Sequence, residues 1–136
     1  MRGRFLSTFN RGVFPRETHD VGFALSDETT ALTTGQKIAF DWPYPFVIVR
    51  TYASIVTAPT GSSLTIDIED EGTTILSAAA ALAISASANN GEHASFASSA
   101  TSYRFDKGDL CSIDIDQVGS TIAGAGLKVW LIGYRP

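Results

Sequence analysis

The residues Leu64-Thr65-Ile66-Asp67-Ile68-Glu69 alternate apolar and polar without a break. A period of two is the side-chain period of an extended strand, whereas a helix would spread Leu64, Ile66 and Ile68 around its circumference. Asp70-Glu71-Gly72 follows, with the residue types of a tight turn, so Thr73 to Leu76 is expected to return beside the first strand. This hairpin demands a sheet with one buried face, and the rest of the chain must supply its neighbours.

Strand signals recur on both sides of the hairpin. Val21 to Leu25 alternates weakly, and Ser26-Asp27-Glu28-Thr29-Thr30 is polar and turn-like. Gln36 to Asp41 puts Ile38 and Phe40 on one face. Trp42-Pro43-Tyr44-Pro45 cannot lie in a central strand, because neither proline can donate to a ladder. Phe46 to Val56 is long and rich in β-branched residues, the composition of a central strand. Ala58-Pro59-Thr60-Gly61 is a turn. Leu110, Ser112, Asp114 and Asp116 alternate with Cys111, Ile113 and Ile115. Leu127, Val129 and Leu131 alternate with Lys128, Trp130 and Ile132, and both sets are apolar enough for a strand covered on both faces. The stretch Ser77 to Ser102 holds ten alanines in twenty-six residues. It is read as strands over 79–85 and 95–105, whose small side chains permit close approach of another backbone or subunit. About eight short strands separated by turns predict an all-β fold, an antiparallel, jelly-roll-like β-sandwich over residues 20–136.

The chain has 136 residues, of which 44% are apolar, enough for one packed domain. Its longest unbroken apolar run, Ala78 to Ile84, is too short to cross a bilayer, so no membrane is expected as a partner. Met1-Arg2-Gly3-Arg4 is basic but no apolar stretch follows it, so no secretory signal is expected. Cys111 is the only cysteine, which excludes an intrachain disulfide framework and a cysteine-based zinc site. Its place beside Ile113 and Ile115 marks it as a small buried hydrophobe.

Charge divides the chain in two. Arg2, Arg4, Arg11 and Arg16 fall in the first sixteen positions with no acid among them. From Glu17 onward six basic residues face fourteen acidic ones, a balance of −8. Leu6, Val13, Phe5, Phe9 and Phe14 are interleaved with the arginines and show no sustained period. Residues 1–19 are therefore read as an extended N-terminal arm. Guanidinium groups pair with carboxylates and aromatic rings fill pockets, so Arg2, Arg4, Phe5, Phe9, Arg11, Phe14 and Arg16 are the candidate partner-binding residues. A frayed terminus is the plain alternative. Nucleic acid is a poor candidate, because four arginines make a weak footprint and the acidic body repels phosphate.

Candidate sites in the body are few. Asp67, Glu69, Asp70 and Glu71, with Asp114 and Asp116 on a neighbouring strand, could offer oxygen ligands to Ca²⁺. They read more simply as a solvated face that keeps the sheet soluble, and no metal is assigned. His19-Asp20 and Glu92-His93 are fragments of acid–base chemistry without a nucleophile elbow, and surface histidines are expected. No catalytic residue and no cofactor are assigned. Trp42, Tyr44 and Tyr103 are the possible ligand or subunit contacts: exposed, such rings form a stacking platform; packed, the Trp42–Phe46 segment closes one end of the sandwich.

Several segments resemble a β-sandwich module of tailed-bacteriophage virion proteins. They are Ser26-Asp27-Glu28-Thr29-Thr30-Ala31-Leu32, Ala58-Pro59-Thr60-Gly61-Ser62 with Leu64-Thr65-Ile66-Asp67-Ile68, and Glu71-Gly72-Thr73-Thr74-Ile75-Leu76-Ser77. Lys107-Gly108-Asp109, Ile113-Asp114-Ile115-Asp116-Gln117-Val118-Gly119-Ser120 and Ala123-Gly124-Ala125-Gly126-Leu127-Lys128-Val129 complete the pattern. The basic arm lies outside it. The resemblance implies a non-enzymatic structural or adhesive virion part, found in tail fibres, head spikes and capsid decoration proteins. Because the module fills nearly the whole chain, direct docking on the particle is expected, as a head decoration protein, head spike or small tail-attached component. Assembly in the host cytoplasm, contact with capsid, portal, adaptor or tail proteins, and a homotrimer are the further expectations. The rival expectation is a module that recognises a host-surface glycan or protein.

Overall fold

The computed structural model describes residues 18–136. Ten strands lie in two five-stranded antiparallel sheets, packed face to face as a β-sandwich. The strands are β1 (His19–Ala24), β2 (Gly35–Asp41), β3 (Phe46–Thr57), β4 (Leu64–Asp70), β5 (Thr73–Thr74), β6 (Leu82–Ile84), β7 (Asn90–His93), β8 (Tyr103–Phe105), β9 (Leu110–Gln117) and β10 (Ala125–Tyr134). The first sheet runs β1-β10-β3, with β7 and β8 side by side along the far edge of β3. The second runs β2-β9-β4, with β5 and β6 sharing the far edge of β4. The count exceeds eight because the edge beyond β3 and the edge beyond β4 are each split into two short pieces.

The alternation at 64–68 is realised as expected, with Leu64, Ile66 and Ile68 fully buried. They meet Ile113 and Ile115 of β9 and, across the sandwich, Ala53, Ile55, Leu127, Val129 and Leu131 of the first sheet. Glu71 and Gly72 form the two-residue hairpin loop, at φ +52° and +84°. Positive φ at both positions gives the turn a twist that matches the flanking strands.

β3 is central, as its composition suggests, but it does not keep one parity. Phe46 and Ile48 are buried, then Thr51, Ala53 and Ile55. The pairing advances two residues on β3, from Ile48 to Arg50, against one on β10, from Gly133 to Ile132. Val49 is thus the extra residue of a β-bulge, and it moves the inward set from even to odd positions.

The alanine-rich middle departs from expectation. Only Leu82–Ile84 of residues 79–85 is strand, preceded by a turn closed by Ala81 N–H donating to Ala78 O. Of residues 95–105, only Tyr103–Phe105 is strand. Phe96 is buried as an anchor, and Ser98 and Ser99, both at φ +60°, reverse the chain after it. The close approach that small residues permit occurs within the chain. A Cβ on Gly91 of β7 would lie 1.8 Å from the Ala83 carbonyl oxygen of β6. This contact joins the two sheets at one corner of the sandwich.

Candidate functional site

Trp42, one of the residues singled out in the sequence, is 2% exposed. Its ring stacks on Phe46 at 4.9 Å between centroids and touches Phe40 at 5.1 Å and Phe105 at 5.3 Å. This makes Trp42 part of the core that closes one end of the sandwich, with no ring face left for a ligand. Tyr44 packs at its edge, half-buried, with the Arg135 guanidinium 4.0 Å above its ring. Tyr103 is half-buried and donates its hydroxyl to Asp70 Oδ2 at 2.6 Å. Burial and that carboxylate push the Tyr103 phenol up from its ordinary value. Arg2, Arg4, Phe5, Phe9, Arg11, Phe14 and Arg16 lie outside the described residues.

The acidic groups do not form a uniformly solvated face. Asp67 is 4% exposed, which corrects that expectation. It points to the outer side of the second sheet, opposite Asp114 of β9, and accepts a hydrogen bond from the Thr74 hydroxyl. Loss of water, only partly offset by that bond and reinforced by Asp116 and Glu69, raises its carboxyl to about 6. Asp114 and Asp70 are raised as well, chiefly by desolvation. Asp70, Glu71 and Asp109 bring carboxylate oxygens within 4.8 Å of one another at the end of the hairpin. Glu71 accepts from the Leu110 backbone N–H at 2.7 Å, which ties that turn to β9. Such a set could hold a hard cation, and it is also what a cross-linked turn requires without one.

Strand alternation separates the acid–base fragments. Glu92 turns to Arg50 and makes an ion pair at 3.0 Å, while its neighbour His93 meets Ser77 Oγ at 2.9 Å on the other side of β7. Adjacent residues of one strand cannot act on one substrate atom from opposite faces. Cys111 is fully buried, and burial pushes its thiol up to about 12, so it is a packing residue.

The outer face of the first sheet carries a different arrangement. Across β1, β10 and β3 the register sets Asp20 beside Ile132 and Ile132 beside Arg50, then Gly22 beside Trp130 and Trp130 beside Tyr52. Glu92 of β7 continues the second row. The Tyr52 and Trp130 rings have centroids 5.9 Å apart and planes inclined by 58°. Asp20, Arg50, Tyr52, Trp130 and Ile132 line an open concavity of about 300 Å³. Gly22 gives the indole its place: a Cβ there would lie 2.9 Å from Trp130 Nε1 and 3.0 Å from Cδ1. Trp130 therefore reaches across β1 with its Nε1–Cδ1 side over Gly22, and it stays half-buried on this outer face.

These residues were visible only in part from the sequence. Trp130 and Ile132 read as the second apolar face of a last strand covered on both sides; the structure leaves that face half-buried beside the concavity. Tyr52 joined them because of the bulge at Val49, which no local pattern announces. No protein-family model matches the chain, and neither a curated protein nor a solved structure is significantly similar to it.

Proposed function

We propose that the chain is a non-enzymatic structural protein of a tailed-bacteriophage virion. In this reading an acidic β-sandwich is displayed on the particle, as a head decoration protein, head spike or small tail-attached component. Residues 1–19 anchor it to a capsid, portal, adaptor or tail protein. The observation that carries the reading is the partition of charge: four arginines and three phenylalanines precede a body of net −8. Such a segment can order on contact, with paired guanidinium groups and buried rings offsetting the lost chain entropy. Repetition of the contact around a symmetric particle adds avidity. The segment-by-segment resemblance to virion β-sandwich modules supports the same reading.

The test is incorporation of a chain lacking residues 1–17, which spares β1. Truncated protein should be lost from purified particles, and Arg-to-Glu changes at Arg2, Arg4, Arg11 and Arg16 should weaken incorporation stepwise. Full occupancy by the truncated chain rejects the anchor. A second reading, recognition of a host-surface glycan or protein, is favoured by the Tyr52–Trp130 concavity.

A further inference from the structure

We infer that the concavity on the outer face of the first sheet is a saccharide-binding site, with Trp130 and Tyr52 as its stacking platform and Asp20 and Arg50 as its polar rim. The inference deepens the second reading given above and rests on the sandwich alone, so failure of the anchoring test leaves it standing and failure of saccharide binding leaves the anchor standing.

The geometry selects the ligand by shape. Two rings inclined by 58° cannot sandwich a flat base, whose two faces are parallel. They can receive a puckered ring that presents C–H groups to the indole face and an edge to the phenol. A pyranose has that form: its axial C–H groups make one apolar face, and its equatorial hydroxyls radiate from the rim. Aromatic residues with a polar handle suit ligands that are apolar on one side and wet on the other. Gly22 fixes the indole in the required attitude. The rings stand on hydrogen-bonded strands of one sheet, so the platform is built without a ligand and little ordering cost is incurred on binding.

Charge narrows the class. Asp20 offers acceptors only, and Arg50 offers donors in a planar fork. Arg50 is already held by Glu92 at 3.0 Å, which positions its remaining N–H groups without neutralising the site with a ligand anion. A rim of both signs fits a neutral polyol, whose hydroxyls donate and accept. It opposes a phosphate, because Asp20 and Glu92 outnumber Arg50; a quaternary ammonium, which the rings and those carboxylates also suit, is the rival ligand that phosphocholine tests. A protein partner fits less well. A stable contact needs about 800 Å² from each side. The apolar part of this surface is three side chains, Tyr52, Trp130 and Ile132, bordered by Asp20, Arg50, Glu92 and Lys128. Its volume of about 300 Å³ sits at the small end of ligand sites, roughly 300–1,000 Å³, the scale of one or two sugar rings.

The experiment uses the purified full-length chain on an array of neutral hexosides, deoxyhexosides and N-acetylhexosamine oligosaccharides, with phosphocholine and inorganic phosphate as competitors. Any array ligand is then titrated in solution by intrinsic fluorescence. Trp42 is buried, so quenching by acrylamide reports on Trp130, and saturating saccharide should protect it. Trp130→Ala and Tyr52→Ala should each weaken binding at least tenfold while the variant still unfolds in one cooperative transition above the assay temperature. Gly22→Ala, which displaces the indole without truncating either ring, should weaken it as well. Asp20→Asn should weaken binding severalfold and shift preference among epimers. The inference is overturned by any of four results: no saturable saccharide on the array, binding that survives Trp130→Ala and Tyr52→Ala together, displacement by phosphocholine in preference to saccharide, or platform variants that change the molecular mass in solution, which would mark a subunit contact.

Discussion

Asp67 shows how a single residue can follow the expected strand pattern and still have a different environment. Its outward position is what alternation requires, yet it is almost cut off from water and holds the Thr74 hydroxyl. Its folded-state value of about 6 exceeds the ordinary 3.8, so the native protein takes up this proton before the unfolded chain does. Stability contributed by that proton is full below about pH 4 and is lost as pH rises through about 6. Chemical unfolding between pH 4 and pH 7 should show stability falling across this window, and Asp67→Asn should flatten the slope. An unchanged slope in the variant would assign the effect to Asp70 and Asp114, whose values are raised in the same direction. The two tryptophans also differ in how the sequence reads them. Trp42, followed by Pro43, is open there to both an exposed and a packed reading, and it is the stacked centre of a buried cluster. Trp130, inside a strand that reads as covered on both faces, is half-buried above Gly22 beside an open concavity.

At the level of the elements, the hairpin of β4 and β5, the central β3 and the amphipathic β9 and β10 were legible because each has a local period or composition that physics ties to one conformation. The loss of parity in β3 was not. Both parities of residues 46–56 are apolar, so the sequence tolerates either register and the partner strand decides. Gly133 is the residue that lets β10 accept the bulge. A Cβ there would lie 1.8 Å from the Val47 carbonyl oxygen and 2.8 Å from its carbonyl carbon, backbone atoms that cannot swing aside. Gly133→Ala should therefore destabilise the fold by about 1–3 kcal/mol, measured by urea or thermal unfolding. It should also disturb the outward placement of Tyr52, since the two sit on either side of the same irregularity. A variant as stable as the parent would show that the bulge can relax. The strands of the alanine-rich middle were overextended for the opposite reason. Runs of Ala and Ser carry neither period, and burial of Phe96 and the reversal at Ser98 and Ser99 set their ends.

For the molecule as a whole, the sandwich was legible from the number and spacing of strand signals, whereas the site was not, because it is assembled from three strands far apart in sequence. We also propose a homotrimer. Its support in the small residues of the middle segment is weakened by the Gly91–Ala83 approach, which uses them inside one chain. Light scattering on the full-length protein should give three times the mass of 14.5 kDa, and a monomer at high concentration would remove the trimer. The antiparallel pairing of β1 with β10 has a further result. His19 lies opposite Gly133, so the root of the arm and the last strand's end share one pole of the body, together with the Trp42 cluster and the Asp70–Asp109 carboxylates. The opposite pole, where Thr60 bridges Ile122, is then the tip that an anchored body would hold farthest from its support. The aromatic trough lies on the flank between the poles, so, if the body is anchored on a particle as proposed, a sugar chain would approach from the side and crowding by neighbouring copies would regulate access to it.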